Sequence, residues 1–103
     1  MTLSSKERAA LRAEAHHLDA LVHVGQHGLS DSLVESLNDA LRTHELVKVQ
    51  VGRQTALPAR EAARQLAGAV RADVVQVIGR TLTLYRENPE LEKKRGAPPP
   101  WRR

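Results

Sequence analysis

A chain of 103 residues accommodates one domain and leaves no room for a second core. Tyr85 and Trp101 are its only aromatic residues, so Leu, Val and Ala must build that core, and a reader that stacks RNA bases on a sheet of aromatic side chains is disfavoured. Sixteen Lys and Arg against twelve Asp and Glu give a formal charge of +4, compatible with a polyanionic partner, while the lack of Cys excludes disulfides, thiolate zinc sites and Cys nucleophiles.

Ser4 and Ser5 open a run of good helix formers, Lys6 to His17, which predicts a first helix. Ala20 to Val24, with valines flanking His23, predicts a first strand, and Gly25-Gln26-His27-Gly28 ends it. A second helix follows, with Ser30 as N-cap and Asp31 in the first turn. Its apolar stripe is Leu33, Val34, Leu37, Ala40 and Leu41, at three- and four-residue spacing. Leu46 to Val51 alternates, with Val47, Val49 and Val51 on one side and Lys48 and Gln50 on the other, and predicts a second strand.

Pro58 suits the start of a third helix, whose stripe of Ala59, Ala62, Ala63, Leu66, Ala67 and Val70 is small enough for close packing. Val74 to Ile78 is a near-continuous apolar run, expected as a third strand buried on both faces. Gly79-Arg80 then suits a two-residue type II′ turn into a fourth strand, Thr81 to Arg86. From Glu87 onward, through Asn88-Pro89 and Pro98-Pro99-Pro100, apolar periodicity is lost. The division expected is a domain over 1–86 and a basic, Pro-rich, disordered tail over 87–103.

The order is α-β-α-β-α-β-β, a single-domain α/β fold. Two right-handed parallel crossovers and a terminal antiparallel hairpin give a mixed four-stranded sheet with three helices. Leu33, Leu37, Leu41, Leu66 and Val70 are expected to bury against Val47, Val49, Val75 and Val77. Met1 to Arg8 has no apolar core of a secretory signal, and no run approaches the roughly 18 apolar residues of a membrane span, so a cytoplasmic protein without membrane contact is expected.

Chemistry concentrates in few places. The Gly25-Gln26-His27-Gly28 loop precedes a helix N-terminus, where glycines let phosphate approach the amides and unpaired N–H groups carry partial positive charge. The plainer reading is a strand-to-helix turn, and Asp31, already on that dipole, favours it. Arg8 and Arg12 share one helix face, and Arg60 and Arg64 another with Arg71 further along; Lys48 stands opposite the valines and Arg80 at the hairpin tip. Such stripes equally describe a solvated face. His16 and His17 are adjacent, point about 100° apart on a helix, and cannot chelate one ion at the usual i, i+4 spacing. With no carboxylate pair or Ser-His arrangement in catalytic spacing, the reading is a non-enzyme with no catalytic residues, metal, cofactor or small-molecule substrate. Trp101, between Lys93-Lys94-Arg95 and Arg102-Arg103, either stacks on a base or is simply solvated.

Several phrases in register carry a resemblance: Ala15-His16-His17-Leu18, Val22-His23-Val24-Gly25-Gln26-His27-Gly28-Leu29-Ser30, His44-Glu45-Leu46-Val47-Lys48-Val49, and Val75-Gln76-Val77-Ile78-Gly79-Arg80 running into Leu82-Thr83-Leu84-Tyr85-Arg86. Over about residues 3–86 the chain resembles the YhbY family, the stand-alone bacterial form of the CRM domain. The resemblance implies the same element order and a fold like the C-terminal domain of bacterial translation initiation factor three. It also implies an RNA-binding protein that binds ribosomal RNA or precursor large ribosomal subunits and assists their assembly; a monomer is expected. The RNA-contacting residues it favours are Gly25, Gln26, His27 and Gly28, with Arg8, Arg12 and Arg80; Lys48, on the strand face opposite the valines, is a further candidate. The sequence departs from the family at Gln26, where the loop commonly carries Lys. The alternative is a protein-interaction module that reaches the ribosome through protein contacts.

Overall fold

The computed structural model describes residues 3–91. Ser4 starts α1 (Ser5–Ala15): its hydroxyl accepts from the Glu7 amide, and the Glu7 carboxylate accepts from the Ser4 amide, a reciprocal capping box. After β1 (Ala20–Val24), Ser30 caps α2 (Asp31–His44), its Oγ accepting from Leu33 N at 3.2 Å. Glu45, at φ 63°, turns the chain sharply into β2 (Leu46–Val51). Pro58 opens α3 (Ala59–Val70), and Arg71, at φ 57°, ends it before β3 (Asp73–Ile78) and β4 (Thr81–Tyr85). The hairpin turn has positive φ at Gly79 and not at Arg80, the pattern of a type II′ turn.

The sheet order is β1-β2-β4-β3. β1 and β2 are parallel neighbours, and β4 lies antiparallel between β2 and β3, so β1, β2 and β3 all run the same way. Their C-terminal loops therefore gather at one end of the sheet, beside the N-termini of α2 and α3. That end is where the glycine loop and the hairpin tip meet.

α2 and α3 cover one face, burying Leu37, Leu41, Leu66 and Val70 against Val47, Val49, Leu82 and Leu84, with Leu33 and Val77 packed at the margin. α1 lies on the other face, where Leu11 and Ala15 cover Leu46, Val75 and Tyr85. Val75 is thus not part of the α2–α3 core, contrary to expectation. A register shift between Val74 and Gln76 explains this: Val74 and Val77 pack with α2 and α3, while the extra residue turns Val75 to α1. β3 is also an edge strand and is not buried on both faces; Ile78 is 61% exposed.

Arg86 leaves β4 and points back into the structure. Its Nη1 donates to Asn38 Oδ1 at 2.7 Å and to Val70 O at 2.9 Å, and its Nη2 to Asn38 O at 3.1 Å, tying β4 to α2 and α3. The expected tail begins at Glu87, yet Asn88 is held on the end of α2, its Nδ2 donating to Arg42 O at 2.7 Å and its amide to the Glu45 carboxylate. Trp101 and the basic clusters around it lie outside the described residues. Among the described residues, no helix is long and apolar enough to cross a membrane.

Candidate nucleic-acid interface

Gly25 to Gly28 form a tight turn closed by a 3.0 Å bond from Gly28 N to Gly25 O. The two glycines are there for different reasons. Gly28 sits at φ +65°, a conformation that side chains rarely adopt, so the turn itself requires it. Gly25 has neither a positive φ nor a crowded neighbourhood; a Cβ there would meet nothing within 4 Å. Geometry alone therefore leaves Gly25 unexplained. The turn delivers the chain to the α2 N-terminus, where Ser30 occupies one amide and the exposed Asp31 follows.

Hydrogen bonds tie this turn to the other two loops at the same end of the sheet. Arg80 Nη1 donates to Gly52 O at 3.2 Å, and Arg80 O accepts from Val51 N at 2.7 Å. Gly52 N in turn donates to Val24 O at 2.8 Å, and the Thr55 hydroxyl donates to Gly25 O. Gly52 owes its identity to crowding: a Cβ there would lie 2.9 Å from the Val24 carbonyl oxygen. Arg80 and the glycine turn, distant in sequence, are thus joined through Gly52, which sequence reasoning passed over. Its position directly after an alternating strand was a usable signal of close backbone approach.

The remaining basic residues divide. Lys48 lies on the sheet face opposite the valines, half-buried, with Nζ donating to Leu18 O at 3.2 Å. Arg12 is exposed on α1, one helical turn before the exposed His16. Arg8 is not on an open face: its guanidinium donates to the Val74 carbonyl oxygen and, at 3.5 Å, to that of Val75, serving the two carbonyls where the β3 register shifts. On α3, Arg64 is engaged by Glu61, and the Arg64 guanidinium, helped by Gln65, lowers the Glu61 carboxyl pKa to about 2. Arg8 and Arg12 should therefore part company on mutation. Arg12→Ala should leave the melting temperature unchanged and reduce the magnitude of the salt slope of RNA binding by about one. Arg8→Ala should lower the melting temperature, as loss of a charged donor from part-buried carbonyls does.

Among the described residues, no group of three or more His, Asp or Glu is placed to hold a metal ion. What the chain presents is a small α/β domain whose glycine turn, hairpin tip and helix N-terminus share one end of a mixed sheet. Residues 3–86 match the CRS1 / YhbY (CRM) domain, and the chain belongs to that family. It is 35% identical over 88 residues to the probable RNA-binding protein YqeI of Bacillus subtilis, covering 85% of this chain and 92% of that one. It is 36% identical over 95 residues to a Haemophilus influenzae protein named RNA-binding protein, covering 88% and 92%. The solution structure of the hypothetical protein SAV1595 from Staphylococcus aureus, described as an RNA-binding candidate, superposes with a TM-score of 0.73 at 33% identity, over 84% of this chain and 91% of that one. The family and the fold implied by the sequence phrases are the ones found.

Proposed function

We propose that this chain is a cytoplasmic, non-catalytic RNA-binding protein that engages ribosomal RNA in precursors of the large ribosomal subunit and assists their assembly. The observation that carries the reading is the convergence of Gly25 to Gly28, the α2 N-terminus and Arg80 at one end of the sheet, linked through Gly52. Backbone amides and the helix dipole suit phosphate oxygens, and a guanidinium beside them adds charge and geometry. The net charge of +4 and the names of the relatives support an RNA partner. Gln26 in place of a loop Lys removes one point charge, so the grip relies on amides, Arg80 and the surfaces around Arg12 and Lys48.

A groove of about 400 Å³ beneath the end of α1 favours a second reading, contact with a ribosomal protein. Leu18, Leu21 and Leu46 give it an apolar wall, and Glu14 and Asp19 beside Lys48 give it mixed charge, which suits a protein surface better than a phosphate backbone. Crosslinking in cells separates the two. Crosslinks mapping to large-subunit ribosomal RNA in immature particles are the expected result. Crosslinks confined to a ribosomal protein would support the second reading and sink the first.

A further inference from the structure

Beyond the end of α1, the uncovered sheet face carries a recess of about 200 Å³ lined by His16, Lys48, Gln76, Ile78, Thr81 and Thr83. Strand register builds it. Lys48 lies opposite Thr83, and Thr83 opposite Gln76, so one row of polar side chains crosses β2, β4 and β3. The next row places Gln50, Thr81 and Ile78 side by side. With strands about 4.8 Å apart, each three-strand row is about 10 Å long. The register shift in β3 matters because it brings Gln76 and Ile78 to this face after Val75 has already turned to α1.

Thr83 is only 1% exposed, yet among the described residues nothing hydrogen-bonds its side chain, and the same holds for the side chains of Gln76 and Thr81. Buried polar groups in folded chains nearly always have a partner, so an unpaired hydroxyl at the floor of an open recess points to a polar ligand. The charge of the lining narrows the choice: Lys48 is cationic, no carboxylate lines the recess, and Arg12 stands one turn before His16. Ile78, 61% exposed, adds an aliphatic wall, and the chain runs from it through Gly79 to Arg80 at the hairpin tip. An apolar wall, a floor of donors and acceptors and a cationic rim fit a planar heterocycle on an anionic strand.

We propose that this recess takes one unpaired nucleobase of the bound RNA, its face against Ile78 and its edge read by Gln76, Thr81, Thr83 and Lys48. The proposal rests on the RNA-binding reading above and adds sequence preference to it, since phosphate contacts position a strand and base contacts specify it. Without an aromatic platform the base is held more by its edge than by stacking, so the recess supplies selectivity more than affinity.

The test is fluorescence anisotropy of the full chain with short labelled homopolymers of A, C, G and U ribonucleotides, at several salt concentrations. Affinities of the parent should differ by about fivefold or more between the best and worst base, the discrimination of one good edge contact. Gln76→Ala and the near-isosteric Thr81→Val should collapse that spread while keeping the parent's salt slope. If Gln76→Ala fails to fold, Thr81→Val and Ile78→Ala decide the matter, with thermal melts as the check on folding. Uniform, salt-dependent binding of all four homopolymers, or variants that keep the parent's order of preference, would overturn the recess and leave the phosphate grip standing. Free mononucleotides binding as tightly as the homopolymers would also overturn it, because the base would then not be read as part of a strand. Absence of binding to every homopolymer at every salt would overturn the recess alone, because the RNA reading is decided separately by crosslinking to ribosomal RNA.

Discussion

Leu37→Ala should destabilise the protein by about 2–5 kcal/mol, the range for truncating a fully buried leucine. Leu37 is fully buried on the sheet side of α2, in the cluster that holds Leu41, Val47, Val49, Leu66 and Leu84. Alanine there would lose the transfer free energy of the removed carbons and leave a cavity between α2 and the central strands. A chain of this size buries a modest share of its surface, so such a loss is a large fraction of total stability. Urea unfolding followed by circular dichroism measures it, and a loss below about 0.5 kcal/mol would mean that α2 does not cover the core.

Arg86→Ala should be the next most damaging change described, at about 1.5–3 kcal/mol, the scale of hydrogen bonds to a charged group. Its guanidinium serves three acceptors on two helices, and their removal leaves Asn38 and Val70 without that donor. Burial first, and the neighbouring Arg42 second, push the Arg86 pKa below its usual value, a cost that these bonds offset. Arg86→Lys should recover only part of the loss, because an ammonium cannot present a planar fork to acceptors on both helices. Full recovery by Lys would show that charge alone matters at this position.

The contrast between Leu37 and Arg86 marks how far the sequence could be read. Periodicity placed Leu37 correctly, because a stripe at three- and four-residue spacing reports directly which face of α2 is covered. Alternation likewise gave β2 as Leu46–Val51, and Ser30 with Asp31 marked the start of α2. Arg8 read as part of a basic helix face and Arg86 only as the end of the fourth strand, because a side chain that bonds backbone carbonyls some tens of residues away leaves no local pattern. The register shift in β3 stayed hidden behind Val74-Val75, two apolar residues that face opposite sides of the sheet. α1 gave too thin a stripe, Leu11 and Ala15, to show that it packs alone on the second face. For the candidate site, the glycine turn and Arg80 were legible as separate elements. Gly52 and Thr55, which join them, were not, because contacts between three loops become visible only once strand order is known.

Geometry also shows where the loop should be tested. Gly28 is required by its φ of +65°, so any substitution there mixes folding with binding. Gly25 carries no such demand, and a side chain there meets open space on the protein side. The most direct measurement is therefore the affinity of the parent, Gly25→Ala and Gly25→Asp for ribosomal RNA across a salt series, with Gln26→Lys as the gain-of-charge counterpart. For roughly four to six neutralised phosphates, log affinity should fall against log salt with a slope of about −3 to −5. Gly25→Asp should fold normally and bind more weakly than Gly25→Ala, with the gap closing at high salt as the carboxylate is screened. Gln26→Lys should tighten binding by about 0.2–1 kcal/mol, the scale of an exposed ion pair. A folded Gly25→Asp protein that binds as tightly as the parent at every salt, together with a Gln26→Lys protein that binds no better, would contradict a phosphate grip at this end of the sheet.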